Sequence, residues 1–203
     1  MNETTLAVLG LGFVLGLKHA TEPDHVVAVS TIVSRNKSIA HSSLAGTLWG
    51  LGHTASLFIC GGVVLALRLT ISENFTQWAE TGVALMLVFL GLNSLWRMAR
   101  PERKHDHPHA SPVQTRSFFV GMVHGLAGTG ALMVLVLATV PTLAGGLIYI
   151  LLFGLGSIGG MLLLSGIISI PFAVSARRYT FLNNGLQLIA ALMSVGLGLF
   201  WIS

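Results

Sequence analysis

The stretch "GLKHATEPDHVVAVS", Gly16–Ser30, decides the fold, because it interrupts an apolar segment with a dense group of polar side chains. Five charged or titratable residues lie within eight positions: Lys18, His19, Glu22, Asp24 and His25. Pro23 separates the two acids. A Lys, Asp or Glu at the centre of a membrane helix opposes insertion by about 2.5–3.5 kcal/mol. The stretch therefore indicates a functional site rather than a plain membrane anchor.

The composition indicates a membrane protein. Hydrophobic residues make up 53% of the 203 residues and charged residues 9%, against about 25% charged residues in soluble domains. A membrane helix needs about 20 residues, and we predict an all-α, single membrane domain (1–203) with six transmembrane helices. The single cysteine, Cys60, excludes a disulfide framework. The predicted spans cover residues 5–32, 42–67, 78–98, 117–140, 146–172 and 181–202.

The distribution of Lys and Arg predicts the orientation. Most of these residues fall in the first, third and fifth loops between the predicted spans, and basic loops face the cytoplasm. Both termini are then expected outside. Because topology explains the net charge of +4, no nucleic-acid partner is inferred, and the expected partner is the lipid bilayer with its acidic headgroups. The basic residues of these loops are Arg35, Lys37, Arg97, Arg100, Arg103, Lys104, Arg116, Arg177 and Arg178.

The two halves of the chain resemble each other. At an offset of 105 positions, identical residues superpose: Phe13 on Phe118, Gly16 on Gly121, His19 on His124 and Gly91 on Gly196. At 104, "WGLGHTA" overlies "FGLGSIG". A repeat of three spans must enter the membrane in the opposite direction the second time, which is the inverted-repeat arrangement of many secondary transporters. We predict repeat one at about 5–98, a cytoplasmic loop at 99–116 and repeat two at 117–203.

Pro23 is expected to break the first predicted span. In a continuous helix with 3.6 residues per turn, His19, Asp24 and His25 point in different directions. A proline has no N–H, and its ring clashes with the carbonyl four residues earlier, here that of His19. Unwinding between His19 and Asp24 would turn the three side chains toward one point, which a membrane tolerates where the open backbone lines a cavity.

The polar groups suit a metal ion. Two imidazoles and a carboxylate, joined by His53 of the second span and His124 of the fourth, form a nitrogen-rich set without a thiolate. Such a set favours nickel, cobalt or zinc over copper(I). Two alternatives stay open: His53 as a hydrogen-bonded core residue, and Lys18 with Glu22 as a structural ion pair.

The His-x4-Asp-His pattern of His19, Asp24 and His25, followed by Leu51-Gly52-His53-Thr54, resembles the nickel/cobalt transporter family in its short, six-span urease-accessory type. The resemblance implies uptake of Ni²⁺ or Co²⁺ across a bacterial inner membrane. It also implies that His19, Asp24, His25 and His53 bind the metal, with Glu22 at a position where the family has an acid.

The second half departs from the family's pattern. Classical members carry a motif with carboxylates there, whereas this chain has "GMVHGLAGTGAL". The polar groups left are His124 and Thr129, and the neighbouring glycines suit close helix packing. His124 remains a candidate ligand.

The predicted loop between the repeats contains "ERKHDHPHASP". Its residues His105, His107 and His109 form a short histidine-rich tract, which is a compositional sign of metal binding. The tract is either a capture site for released metal on the cytoplasmic face, ahead of a metal-accepting protein, or a solvated linker.

The sequence therefore predicts a secondary transporter that moves a divalent transition metal, most simply by uptake. It contains no GxxxxGK[ST] sequence for ATP and no HExxH signature of a metalloprotease, so an enzyme is not expected. No cofactor is expected beyond the transported ion. The alternatives are a metal exporter of the same fold and a haem-binding membrane redox protein.

Overall fold

The computed structural model describes residues 3–36, 38–100, 112–140 and 142–203. This part of the chain is entirely helical, with no β-strand. It contains α1 (Glu3–His19), α2 (Pro23–Val33), α3 (Ile39–Leu67), α4 (Glu73–Ala99), α5 (Pro112–Thr139), α6 (Leu143–Arg178) and α7 (Thr180–Ile202).

Among the described residues, four helical segments are long and apolar enough to cross a membrane: Ile39–Leu67, Glu73–Ala99, Leu143–Ala176 and Thr180–Ile202. Two shorter apolar segments, Ala7–His19 and Pro23–Val33, precede them. Large apolar side chains such as Phe89, Ile167 and Phe200 are exposed on the outer surface. A surface of that kind suits lipid, so the all-helical fold is that of a membrane-embedded protein.

Polar residues at the loop ends begin several helices. The Ser38 hydroxyl accepts from the backbone N–H of His41, the Ser72 hydroxyl from Phe75 and the Thr142 hydroxyl from Gly145. These side chains satisfy N–H groups that have no partner within a first helical turn. Helix α3 ends at Arg68, whose left-handed conformation (φ 52°) closes the turn toward α4.

The packing of the helices brings the two halves of the chain together. Helix α3 lies against both α5 and α6, α1 lies against α6, and α4 packs along α7. A buried cluster that includes Trp49, Leu87 and Met161 fills the space between these helices.

Glycines allow close backbone contacts between the halves, and these contacts are reciprocal. A Cβ at Gly16 would overlap the carbonyl of Phe153, and a Cβ at Gly121 would overlap the carbonyl of Trp49. The two contacts exchange when each residue is replaced by its counterpart 104 or 105 positions away.

The same exchange relates two further contacts. Gly52 lies against the Phe118 carbonyl, and Gly156 lies against the carbonyl of Phe13. Equivalent residues of the two halves therefore form equivalent contacts.

A third reciprocal contact joins α4 to α7. Cβ atoms built at Gly91 and Gly198 would lie 2.6 Å from the carbonyl oxygens of Ala191 and Ala84, respectively. The close approach thus uses Gly198, two residues beyond the Gly196 that the sequence offset pairs with Gly91, and Gly196 has no atom within 4 Å of such a Cβ. The structural counterpart of Gly91 on α7 is therefore shifted by two residues from its sequence counterpart, because Gly198 and not Gly196 lies on the side of α7 that packs against α4.

Candidate metal centre

The first predicted span is divided at the Pro23 stretch. Helix α1 ends at His19, and α2 begins at Pro23 after Glu22 in an extended conformation (φ −63°, ψ 148°). The backbone N–H groups of Thr21 and Glu22 donate to the carbonyls of Lys18 and His19 at 2.9 and 3.0 Å. Proline at the first position of a helix loses no intrahelical hydrogen bond. Three residues therefore form a tight turn between two short helices.

Four histidine rings from four helices gather beside this turn. The ring of His19 lies 4.5 Å from that of His25 and 5.1 Å from that of His53, centroid to centroid. The His25 ring is 5.4 Å from the His53 ring and 4.1 Å from the His124 ring. His25, His53 and His124 are 0%, 1% and 3% exposed, so water does not solvate their rings.

Two acids fix the orientation of two of these rings. Oε2 of Glu22 lies 3.0 Å from Nδ1 of His19, and Oδ1 of Asp24 lies 3.1 Å from Nδ1 of His25. Each acid engages Nδ1, which leaves Nε2 of both histidines without a hydrogen-bond partner in the described chain. Glu22 thus pairs with His19 rather than with Lys18, the alternative partner that the sequence left open.

Asp24 also links α2 to the second half of the chain. Its Oδ2 lies 2.6 Å from Nε2 of His124 on α5, and its Oδ1 accepts from the backbone N–H of His25 at 2.9 Å. Both oxygens of the carboxylate are therefore engaged by histidine rings or backbone.

The inner nitrogens have no hydrogen-bond partner within the described part of the chain. They are Nε2 of His19, Nε2 of His25, both ring nitrogens of His53 and Nδ1 of His124. Buried polar atoms normally find a partner, so the hydrogen-bonded core role considered for His53 is not the arrangement observed.

The free nitrogens are close enough to share an ion. One ligand atom from each of His19, His25 and His53 lies within 4.8 Å of the other two. Imidazole nitrogens bind zinc at about 2.0–2.1 Å, so small side-chain rotations would bring all three to one cation. A second group, Asp24, His25 and His124, meets the same distance limit but has its carboxylate engaged already.

A cavity of about 340 Å³, here called the vestibule, leads to the cluster. Phe153 of α6 and Trp201 near the end of α7 form part of its apolar wall. Its titratable lining residues are Lys18, His19, Glu22, Asp24, Glu80 and His124.

Glu80 of α4 is a vestibule residue that the sequence reasoning missed. The sequence feature that could have identified it is the presence of an acid inside the predicted span 78–98. No motif connects it to the Pro23 stretch.

The glycines around His124 serve packing and space. Cβ atoms at Gly121 and Gly125 would overlap the carbonyls of Trp49 and His53. A Cβ at Gly128 would lie 3.7 Å from the His53 ring and 3.9 Å from Nε2 of His19, so this glycine leaves room beside the rings. The side chain of Thr129 and the tract with His105, His107 and His109 lie outside the described residues.

Comparison with known proteins identifies the family of the chain. The chain is 40% identical over 204 aligned positions to the urease accessory protein UreH of Bacillus sp. (strain TB-90), and the alignment covers 94% of this chain and 88% of that protein. The chain belongs to the UreH-like group of the nickel/cobalt transporter family.

More distant relatives extend the family. A protein of Methanocaldococcus jannaschii named as a nickel/cobalt efflux system is 28% identical over 71% of this chain and 67% of its own length. The Arabidopsis thaliana chloroplast protein FOR GROWTH AND FERTILITY 1 is 26% identical over 93% of this chain, which spans 56% of that relative. No family model matches the chain, and no solved structure gives a significant match.

Proposed function

We propose that this member of the UreH-like group is a secondary transporter that binds Ni²⁺ or Co²⁺ between His19, His25 and His53. Two observations carry the proposal together: His19, His25 and His53 each have a buried ring nitrogen without a hydrogen-bond partner in the described chain, and one ligand atom from each of the three lies within 4.8 Å of the others. A bound cation would engage one ring nitrogen of each histidine.

The remaining polar residues act on these ligands. Metal-binding histidines commonly donate their second ring N–H to a carboxylate, which fixes the tautomer and increases ligand basicity. Glu22 and Asp24 have this relation to His19 and His25. His124 would hold Asp24 in place through its 2.6 Å contact. We therefore assign direct binding to three histidines and orientation to Glu22, Asp24 and His124.

The ligand chemistry supports the choice of metal. Neutral imidazoles suit zinc, copper, iron and nickel, whereas magnesium and calcium prefer oxygen ligands. The name of the efflux-system relative favours nickel and cobalt within the first group.

The reciprocal glycine contacts support the inverted-repeat topology. In this topology α1 and α2 together form one broken span, and six spans form two halves of opposite orientation. Binding at a broken helix between such halves is typical of secondary transporters. With the basic loops on the cytoplasmic side, both chain termini lie outside.

The vestibule supports uptake. Its residues Glu80, near the start of α4, and Trp201, near the end of α7, belong to the end of the bundle assigned to the outer face. A membrane potential of 100 mV favours inward movement of a doubly charged ion by about 4.6 kcal/mol. We place the protein in the bacterial inner membrane, in line with its bacterial relative.

A haem-binding redox role receives no comparable support. A haem with His53 and His124 as axial ligands would need space for its porphyrin between them. The His25 ring occupies this region, 5.4 Å from the His53 ring and 4.1 Å from the His124 ring.

The test is uptake of nickel by the full chain in proteoliposomes with an imposed membrane potential. His19→Ala, His25→Ala and His53→Ala should each abolish uptake. His41→Ala, an exposed histidine near the start of α3, is the matched control and should transport normally. Normal uptake by any of the three site variants would contradict the proposal.

A further inference from the structure

A second cavity, of about 60 Å³, lies where α2, α4 and α5 meet. We call it the arginine cavity, because Arg35, Arg97 and Arg116 line it together with Asn93 and Ser94. No Asp or Glu of the described chain lines it. Since Glu80 and Arg97 are 17 residues apart on α4, or about 25 Å along a helix, this cavity lies toward the opposite end of the bundle from the vestibule.

The side chain of Arg116 is held in position. When the amide oxygen of Asn93 faces Arg116, it accepts from Nη1 of Arg116 at 2.9 Å and from Nη2 at 3.2 Å. The positive charge of Arg97 acts on the half-buried Arg116 as a repulsion, and a guanidinium does not lose its proton in proteins. An anion between the arginines would relieve this repulsion.

Ser94 provides an independent indication of a ligand. It is 6% exposed, its hydroxyl has no hydrogen-bond partner within the described chain, and it lines the same cavity. A buried hydroxyl without a partner is unfavourable. Guanidinium groups and a hydroxyl together form a donor set that binds the oxygens of a phosphate.

The charges of this cavity are not a consequence of the repeated fold. The positions related to Arg35, Arg97 and Arg116 by the 105-residue offset are apolar: Val140, Ile202 and Leu11. The opposite face of the bundle therefore has no corresponding arginine group at these positions.

We propose that the arginine cavity binds a phosphate group, supplied by the headgroup of an anionic phospholipid of the cytoplasmic leaflet. Basic pockets between membrane helices on the cytoplasmic side bind such headgroups. The phosphate oxygens contact the guanidinium groups and the Ser94 hydroxyl, and the acyl chains extend along the apolar outer surface. The lipid then joins the ends of α2, α4 and α5. The alternative source of the same chemistry is free phosphate.

The experiment is lipid binding by the purified full chain, measured by native mass spectrometry with added phosphatidylglycerol or phosphatidylcholine. Arg97→Gln and Ser94→Ala are the test variants. Arg100→Gln is the matched control, because Arg100 lies at the same end of α4 but stacks on Trp96, 3.9 Å from its ring centroid, outside the cavity. A parallel measurement follows the thermal melting temperature with inorganic phosphate in neutral detergent.

We expect Arg97→Gln to weaken phosphatidylglycerol binding at least about fivefold, the effect of one basic residue near an anionic surface, and Ser94→Ala to weaken it by a smaller factor. Arg100→Gln should bind phosphatidylglycerol as the unmodified chain does. Binding of phosphatidylcholine should change little in any variant. The site would be assigned to free phosphate by a different result: inorganic phosphate raises the melting temperature, Arg97→Gln removes this increase, and the chain shows no preference for phosphatidylglycerol over phosphatidylcholine. An equal loss in Arg97→Gln and Arg100→Gln would overturn the proposal, as would the absence of both lipid and phosphate binding.

The melting temperature in neutral detergent separates an effect on folding from an effect on binding. Because Arg97 is exposed, Arg97→Gln should melt close to the temperature of the unmodified chain. If it does fall, Ser94→Ala decides the outcome, because it removes one oxygen and no charge. Unchanged phosphatidylglycerol binding in Ser94→Ala would then contradict the proposal.

Discussion

Asp24 and His124 lie 100 residues apart in the sequence, yet Oδ2 of Asp24 is 2.6 Å from Nε2 of His124. The contact connects α2 to the second half of the chain, directly beside three histidines with ring nitrogens that have no hydrogen-bond partner in the described chain. The acid is therefore explained by its contacts with histidines, because both of its oxygens are engaged by His25 and His124. Asp24 holds a proposed ligand, His25, and ties together the two halves between which an ion is proposed to bind.

The role of Asp24 predicts the effect of Asp24→Asn. The amide keeps the size of the side chain but replaces one acceptor oxygen with a donor, so it no longer holds both His25 and His124. Loss of a partner of this kind lowers metal affinity by about 10–100-fold. Titration calorimetry with nickel on the purified full chain measures the change. Unaltered affinity would show that Asp24 does not act through His25.

Glu80 is expected to assist the approach of the cation. Glu80→Gln removes a negative charge from the vestibule, and clefts of one charge increase the encounter rate of an oppositely charged substrate by a factor of about 10 or more. The KM for nickel uptake should therefore rise at low ionic strength, with an unchanged maximal rate. Because salt screens such attraction, the difference should shrink at higher salt.

Glu73→Gln provides the control for this effect. Glu73 begins α4 and is exposed, but it does not line the vestibule. An equal rise in KM in both variants would indicate general surface charge instead of a role for the vestibule.

The reciprocal glycines predict a difference in stability. Gly52→Ala forces a Cβ onto the Phe118 carbonyl, and overpacking of this kind destabilises by about 1–3 kcal/mol. Gly82→Ala should be neutral or stabilising, because a Cβ there has no atom within 4 Å and alanine favours a helix by about 0.5–1 kcal/mol over glycine. Thermal melting in detergent distinguishes them. Equal melting temperatures would argue against close packing at Gly52.

The histidine-rich tract predicts a partial effect. Replacing His105, His107 and His109 together with alanine should reduce nickel accumulation in cells without abolishing it, because the proposed transport site lies elsewhere. Radiolabelled nickel uptake measures the change. Complete loss would require an essential metal-binding step in the loop.

Local chemistry made the main features of the fold predictable. Hydropathy indicated the apolar helices, and the missing N–H of Pro23 indicated the division of the first span, which the structure has between His19 and Pro23. The offset of 105 residues indicated related halves. The matching glycines of the two halves lie at close backbone contacts, where a larger residue would not fit.

The finer arrangement depends on three-dimensional contacts that no local pattern encodes. The sequence placed His19, Asp24 and His25 in one group but did not indicate which ring nitrogen each acid would engage. Glu80 lies on a different helix, and only packing brings it to the vestibule. The arginine cavity combines the ends of α2, α4 and α5, so its residues looked like ordinary basic loop residues.

The central claim is that imidazole nitrogens of His19, His25 and His53 bind the transported ion. X-ray absorption spectroscopy at the nickel edge of the nickel-loaded full chain tests it most directly. We expect three imidazole nitrogens at roughly 2.0–2.1 Å, the distance of imidazole bonds to zinc, and one imidazole fewer in His53→Ala. A first shell made of oxygen or sulfur, or one that His53→Ala leaves unchanged, would contradict the account.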